Sequence, residues 1–384
     1  MKYDFDSLID RRNTNAEKWD VAPHELPMWV ADMDFRTAPA ITEAIAERAA
    51  HGIFGYSGLP DDWYDAYIGW WQSRHAVTYK KSQFVFSTGV IPTISSCVRK
   101  LTTPAEKVLI MPPVYHIFYN CIRNNGRTVL ECPLEYDGTA YHTNWELLEK
   151  QLADPQTTLM LLCNPHNPIG KIWDRETLAR IGALATEHGV IVISDEIHCD
   201  LTDPGRSYVP FASVSEQCAQ NCVICVSPTK TFNIAGLQTS AVIVPNPKLR
   251  HKVWRALNTD ECAEPNAFAV QAAVAAFRHG GAWLDELRQY LYANKTFVKD
   301  YLDANIPQIR LVPSEATYLL WLDCSALHLN SKALAAHIRK STGLYLSHGE
   351  QFGNGEQFLR MNIACPRSLL ADGMDRLSKA VKML

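Results

Sequence analysis

Seven short apolar runs recur between residues 84 and 245, and helix-length amphipathic stretches separate them. Strands that are apolar throughout, with helices between them, are typical of a mostly parallel sheet covered by helices on both faces. This alternation constrains the fold more than any other feature, and it predicts an α/β architecture on a seven-stranded sheet. The runs are FVFSTG (84–89), KVLIMPP (107–113), RTVLECP (127–133), TLMLLCNP (158–165), GVIVISDE (189–196), NCVICVSP (221–228) and TSAVIVP (239–245).

The last third of the chain departs from this rhythm. After residue 247, long helical stretches are followed by the strand-like segments ATYLLWLDC, LYLSHGEQF and EQFLRMNIACP. This pattern is typical of an α+β domain, and 384 residues are enough for two domains. We therefore predict a large domain at 46–280 and a smaller α+β domain formed by 1–45 and 281–384.

Charge and hydropathy argue against several classes of protein. A net charge of −4 gives no general attraction to nucleic acid or to acidic membrane surfaces. The longest apolar runs have strand length, and the opening MKYDFDSLIDRRNT lacks the apolar core of a signal peptide. We expect a cytoplasmic protein with no nucleic-acid partner and no membrane segment. The eleven cysteines are then expected to be reduced core residues rather than metal ligands.

A lysine follows the strand-like run VICVS directly, in the segment SPTKTFNIAGL (227–237). Most lysines lie on the surface, but this one follows a buried strand and has turn-forming neighbours. Desolvation lowers the pKa of an amine and makes it nucleophilic toward a carbonyl carbon. From its position alone, Lys230 fits a Schiff-base lysine as well as it fits a surface residue.

A carboxylate ends the apolar run VIVIS. Asp195 would be explained equally well as the N-cap of a helix, a position that favours aspartate. A buried carboxylate, however, needs a cationic partner. The protonated ring nitrogen of pyridoxal phosphate (PLP) is such a partner, and PLP enzymes use an aspartate there.

Other polar or aromatic residues also follow predicted strands. Asn167 lies in the rigid turn CNPHNPIG, and its amide would be able to donate to a ring oxygen. Gly89 precedes a helix whose free N–H groups would bind phosphate, although one glycine is a weak signal. Tyr115, after a pair of prolines, is more often a core residue than a stacking platform. Arg360 lies in an apolar strand, where its guanidinium needs an anion and fits a carboxylate.

The order of these motifs resembles one family. A glycine turn, an aromatic residue, NPHNPxG, SDEIH, SxxK and a late arginine are similar to fold-type I PLP-dependent enzymes of the aspartate-aminotransferase superfamily, over about residues 25–367. PMWVADMDF, FGYSGLP, DEIHCDL, FNIAGLQTS and FLRMNIACPR resemble its cystathionine β-lyases of the MalY/PatB type, which cleave carbon–sulfur bonds. The resemblance implies a PLP cofactor, an amino-acid substrate and a homodimer with shared active sites.

The resemblance also implies roles for individual residues. Lys230 would bind PLP covalently and remove the Cα proton, Asp195 would pair with the ring nitrogen, and Tyr115 would stack on the ring. Arg360, with Ala31 and Asn167, would bind the substrate. Further cofactor contacts would come from Asn167, from Gly89, Val90 and Ile91, from Ser227 and His198, and from Tyr56, which would reach the cofactor of the partner subunit.

Two positions differ from the aminotransferase pattern. His198 stands where those enzymes usually have a tyrosine that bonds the phenolic oxygen. Gln238 stands where they usually have an arginine that binds phosphate. Both differences are similar to the lyase subgroup, and they argue against transamination.

The predicted reaction is β-elimination, which gives a thiol, pyruvate and ammonia. Cystathionine, cystine, cysteine and S-alkyl cysteine conjugates all fit this chemistry. Two alternatives stay open. An aminotransferase shares the early steps, and a PLP-binding regulatory protein would act through protein contacts because no DNA-binding motif is visible.

Overall fold

Helices and strands alternate along the computed structural model, which describes residues 2–384. Among these residues, no helix combines the length and the apolar composition needed to cross a membrane. The α-helices are α1 (Pro39–His51), α2 (Asp61–His75), α3 (Val90–Leu101), α4 (Ile117–Arg123), α5 (Trp145–Leu152), α6 (Arg175–Glu187), α7 (Glu216–Gln220), α8 (Pro228–Thr231), α9 (Pro247–Thr259), α10 (Ala269–His279), α11 (Gly281–Asn305), α12 (Ser331–Thr342) and α13 (Arg367–Val381). The strands are β1 (Leu26–Pro27), β2 (Phe84–Ser87), β3 (Lys107–Ile110), β4 (Thr128–Glu131), β5 (Glu135–Tyr136), β6 (Tyr141–His142), β7 (Thr157–Cys163), β8 (Ile191–Asp195), β9 (Cys222–Val226), β10 (Ser240–Ile243), β11 (Arg310–Leu311), β12 (Leu319–Asp323), β13 (Leu344–Tyr345), β14 (Ser347–His348) and β15 (Phe358–Asn362).

The central sheet has seven strands in the order β2-β10-β9-β8-β7-β3-β4. Pairing is parallel except at β10, which runs antiparallel to β2 and β9. Each predicted apolar run contributes one strand, so the predicted seven-stranded, mostly parallel sheet is confirmed. The carboxyl ends of the parallel strands β3, β7, β8 and β9 therefore lie along one edge.

The two faces of this sheet pack against separate apolar clusters. In β9, Cys222 and Ile224 belong to one cluster, whereas Val223 and Cys225 belong to the other. Cys222 and Cys225 have CxxC spacing, but residues three apart in a strand point to opposite faces. All eleven cysteines are free and buried, which confirms the prediction that they are core residues.

The second part of the chain forms a smaller antiparallel sheet in the order β11-β12-β15-β14. Strand β1, in the N-terminal segment, pairs with β13 in a separate two-stranded sheet. Phe5 also packs against Trp283 and Tyr290 of α11. Helix α1, in contrast, packs against α10. The domain boundaries at 46 and 280 stay a prediction.

Candidate active site

Nine of the predicted site residues line a cavity of about 220 Å³ at the carboxyl edge of the parallel strands. Ligands of open α/β sheets bind at this edge. A larger, open groove of about 620 Å³ lies elsewhere, and none of the predicted site residues lines it. The walls of the smaller cavity include Ala31, Gly89, Val90, Ile91, Tyr115, Asn167, Asp195, His198 and Lys230.

Lys230 stands on the short helix α8, directly after β9. Its Nζ donates a hydrogen bond to the Ala31 carbonyl oxygen at 2.6 Å. Burial lowers the pKa of Lys230, and the charge of Arg360 adds to this effect, whereas Asp32 and Asp195 oppose it. Burial, the largest cause, thus shifts this amine toward its neutral, nucleophilic form.

Asp195 is the last residue of β8, and its carboxylate has few partners for a buried charge. Only 4% of the residue is exposed, and Oδ1 accepts the backbone N–H of Ile197 at 3.1 Å. Burial raises the pKa of Asp195 to about 7, against the opposing effects of that N–H and of Lys230. A cation placed against this carboxylate would stabilise its charged form.

Arg360 lies in β15 of the smaller sheet and contacts Asn167, a residue of the cavity wall. Nη1 donates to Asn167 Oδ1 at 3.2 Å, and Nη2 donates to the Trp29 carbonyl at 2.9 Å. Within residues 2–384, Arg360 forms no ion pair, and its buried Nε has no partner. Burial lowers the pKa of Arg360 to about 10. An unpaired, buried guanidinium is suited to bind a carboxylate.

Two ring side chains complete the walls. Tyr115 lies in the segment between β3 and α4. Burial raises its pKa to about 12, so the phenol is neutral. His198 is 3% exposed, and its Nδ1 has no partner. Burial, then the charges of Lys230 and Arg360, lower the pKa of His198 to about 3. This imidazole is therefore neutral and can offer one N–H.

The end of the cavity near α3 fits an anion. Helix α3 begins at Val90, and the first N–H groups of a helix have no partner within it. Ser227, in contrast, does not line the cavity, because its hydroxyl donates to the Thr239 carbonyl at 2.7 Å. Thr229 lines it instead. Thr229 was not predicted as a site residue, although its position next to Lys230 in the sequence indicates one. The phosphate contact of Ser227 stays a prediction.

Tyr56 and Gln238 lie outside this cavity. Tyr56 is fully exposed, in a stretch where Ile53 and Phe54 are exposed as well. Its predicted contact with a partner subunit stays a prediction. Tyr318 was also missed, because nothing in ATYLLWLDC distinguishes it from a core residue. Its hydroxyl donates to the Ala31 carbonyl at 3.0 Å.

These groups fit PLP one by one. The Lys230 amine suits the aldehyde, and the unpaired Asp195 carboxylate suits a protonated ring nitrogen. The start of α3 suits the phosphate, and the unpartnered His198 imidazole suits the phenolic oxygen. The fit depends on buried polar groups that the chain itself leaves unsatisfied.

A possible metal cluster lies behind α8, outside the cavity. Ligand atoms of His75, Cys199 and Asp200 lie within 4.8 Å of one another. Asp200 already accepts hydrogen bonds from Trp70 and Thr231, at 3.0 and 3.1 Å, and contacts His75 at 2.8 Å. The guanidinium groups of Arg74, Arg206 and Arg288 line the adjoining space and disfavour a second cation.

Comparison with known proteins decides the family. Residues 26–377 match the family described as aminotransferase class I and II. The chain belongs to this family. It is 44% identical to cystathionine β-lyase PatB of Bacillus subtilis over 98% of this chain and 99% of that one. It is 34% identical to the protein MalY of Escherichia coli over 99% of each.

A solved member of the family shares the whole architecture. The crystal structure of a PLP-bound C-S lyase from Staphylococcus hominis, complexed with the inhibitor L-cycloserine, has a TM-score of 0.93 and 32% identity. The match covers 99% of this chain and 98% of that chain. Both resemblances in the sequence, to the aminotransferase superfamily and to the MalY/PatB-type lyases, are thus confirmed.

Proposed function

We propose that this protein is a PLP-dependent carbon–sulfur β-lyase that converts S-substituted cysteines such as cystathionine to a thiol, pyruvate and ammonia. The observation that carries the proposal is that one cavity contains both a buried amine, Lys230, and a buried carboxylate without an ion-pair partner, Asp195. Similarity over the full chain to a cystathionine β-lyase supports the reaction type.

The chain holds the cofactor at several points. Bound PLP supplies an aldehyde that condenses with amines and a protonated ring that accepts the electrons of a carbanion. Lys230 would provide the covalent attachment, and Asp195 would keep the proton on the ring nitrogen. The start of α3 and Thr229 would hold the phosphate. His198 would donate its N–H to the phenolic oxygen, in the place of the usual tyrosine.

Other residues orient the substrate and move its proton. Arg360 binds the α-carboxylate through two parallel N–H groups of its guanidinium. This contact fixes the amino acid so that the Cα–H bond faces Lys230, an effect of positioning. Lys230 Nζ then takes the Cα proton as a general base. The thiolate leaves from Cβ with little need for an acid, because a thiolate is a good leaving group.

The proposal includes a homodimer. The exposed apolar stretch around Ile53, Phe54 and Tyr56 supports it, because such side chains often mark contact surfaces. In that dimer Tyr56 would reach the cofactor phosphate of the partner subunit. The cytoplasmic location stays a prediction from the sequence.

Thiol release from a set of substrates tests the function. Purified, PLP-loaded protein is incubated with L-cystathionine, L-cystine, L-cysteine and S-methyl-L-cysteine, without any keto acid, and thiol and pyruvate are measured. We expect equal amounts of both products from cystathionine, and none with Lys230→Ala. The exposed Lys252→Ala is the matched control and should keep full activity. Accumulation of pyridoxamine phosphate without thiol would favour the aminotransferase alternative.

A further inference from the structure

The loop 29–33, with the sequence WVADM, has an unusual set of hydrogen bonds. Each of its five successive backbone carbonyls accepts a hydrogen bond from a side chain, and several of the donors are buried. Such a set fixes the orientation of every peptide plane in the loop, since each plane is rigid. The donors are Arg360 and Ser347 to Trp29 at 2.9 and 3.3 Å, Asn362 to Val30 at 2.6 Å, Lys230 and Tyr318 to Ala31 at 2.6 and 3.0 Å, Asn362 and Lys18 to Asp32 at 2.5 and 3.3 Å, and Arg11 and Asn233 to Met33 at 3.0 and 2.9 Å.

Asn362 holds the two carbonyls on either side of Ala31. It is the last residue of β15, two positions after Arg360, and only 1% of it is exposed. Its Nδ2 donates to both Val30 and Asp32, and its Oδ1 accepts the N–H of Ala364 at 2.8 Å. Both neighbours are thus fixed, and the carbonyl between them points at Lys230.

We propose that Asn362 is a positioning residue that aims the Ala31 carbonyl at the Lys230 amine. This carbonyl then accepts a hydrogen bond from the ammonium that forms when Lys230 takes the proton from the substrate. The inference rests on the proposed function, because it assigns a place to the proton of the Cα–H bond. When that bond breaks, its electrons pass to the cofactor and its proton passes to Nζ. The resulting ammonium donates to the Ala31 oxygen.

The carbonyl favours the ammonium over the amine. A hydrogen bond from a charged donor is about twice as strong as a neutral one, so the contact at 2.6 Å lowers the energy of the state after proton transfer. Three charged groups act on the same nitrogen: Asp32 and Asp195 favour the ammonium, and Arg360 disfavours it. The neighbouring His198 is neutral. The carbonyl is the acceptor that touches Nζ.

A second buried asparagine offers a matched control. Asn294 is fully buried, and its Nδ2 donates to the carbonyls of Ile363 and Cys365, at 3.0 Å each. It bridges two backbone carbonyls as Asn362 does, just beyond the end of β15. None of its hydrogen bonds involves loop 29–33. Asn294→Ala therefore removes the same chemistry without disturbing Lys230.

The first test measures Lys230 in the cofactor-free, full-length protein. Acetylation of Lys230 by a water-soluble acylating reagent is followed by mass spectrometry as a function of pH, for the wild type, Asn362→Ala and Asn294→Ala. Loss of the aimed carbonyl should shift the midpoint of the rate–pH curve to lower pH. At a pH below that midpoint the rate should rise about tenfold. Asn294→Ala should match the wild type.

A third variant guards against a folding defect. Asn362→Ser keeps one hydroxyl donor, so it should fall between the wild type and Asn362→Ala. An unchanged midpoint in both Asn362 variants overturns the proposal, even if the plateau rate changes, because a higher plateau reports access alone. This readout needs no turnover, so it remains decisive if the protein acts on none of the tested substrates.

The second test uses the PLP-loaded enzyme. Asn362→Ala should lower kcat for thiol release about tenfold and leave KM nearly unchanged, because the proton transfer is impaired while Arg360 remains in place. The rate ratio between Cα-protiated and Cα-deuterated substrate should increase. A loss confined to KM, with no change in this ratio, would show that Asn362 acts on substrate binding instead.

Discussion

Two buried aspartates with the same exposed fraction, 4% each, have opposite surroundings. Asp34, in the N-terminal segment, accepts hydrogen bonds from Lys18 at 2.6 Å, from Arg11 at 2.7 Å and from Trp19 at 2.8 Å. Asp195, at the end of β8, accepts one backbone N–H. Asp34 is hydrogen-bonded to cationic side chains of the chain, whereas among the described residues no cationic side chain is hydrogen-bonded to Asp195.

The pKa values of the two groups follow this difference. Burial by itself would raise the pKa of Asp34, but Lys18, Trp19 and Arg11 together lower it below the usual value. At Asp195 burial dominates, and the pKa rises to about 7. A buried carboxylate that is fully paired is part of the fold. One that lines a cavity and accepts a single backbone N–H marks a place where a cationic ligand group can bind.

The largest effect is expected at the unpaired carboxylate. Asp195→Asn should lower kcat by several orders of magnitude, because a neutral amide no longer keeps the ring nitrogen protonated. The measurement is thiol release under saturating PLP. Glu196→Gln is the neighbouring control: this buried carboxylate accepts from Ser194, Tyr208 and Phe211, away from the cavity. Loss of turnover in both variants to the same extent would remove the distinction between the two kinds of site.

The paired carboxylate should act on stability instead. Asp34→Asn leaves Lys18, which is 1% exposed, without its closest partner. Removing one member of a buried ion pair costs about 3–5 kcal/mol. The free energy of unfolding in urea should fall by this order, and turnover per folded molecule should change little. Asp303→Asn, in an exposed pair with Lys299, should cost under about 1 kcal/mol.

The pH dependence of stability should separate the two aspartates further. In the unfolded chain the pKa of an aspartate is about 3.9, whereas that of Asp195 in the folded, cofactor-free protein is about 7. The folded state binds more protons over this interval, so the contribution of Asp195 to stability falls as pH rises from 4 to 7. The free energy of unfolding of cofactor-free Asp195→Asn should equal that of the wild type near pH 4 and exceed it by a few kcal/mol at pH 8. Equal stability at pH 8 would show that Asp195 is already paired.

The sequence predicted the parts of this site that carry a side-chain signature. Asp195 ends its buried strand, and Asn167 and Lys230 follow theirs within four residues, so the sequence placed all three at one edge of the sheet. Arg360 was visible as a charge within an apolar strand.

Other contacts could not be predicted, because they depend on the backbone. The carbonyl of Ala31 has no signature in the sequence, and the residues that fix it, Asn362 and Tyr318, lie about 290 to 330 positions away along the chain. Ser227 donates its hydroxyl to the Thr239 carbonyl, and its predicted contact with the phosphate stays a prediction. Which of several hydroxyl groups faces a cavity is decided by local turn geometry that a motif does not specify.

The same comparison applies to two arginines, and it gives the smallest expected effect. Arg11 contacts Asp32 and Asp34 at 2.6 and 2.7 Å, whereas Arg360 has no carboxylate partner of its own. Arg360→Lys should raise KM for cystathionine about 10- to 100-fold, because a single ammonium cannot replace the bidentate contact with the substrate carboxylate. Arg11→Lys should leave KM unchanged, since its carboxylates belong to the fold. If both variants keep the wild-type KM, then the lack of a carboxylate partner in the chain does not identify a binding group, and the inference from Asp195 loses the support of its parallel at Arg360.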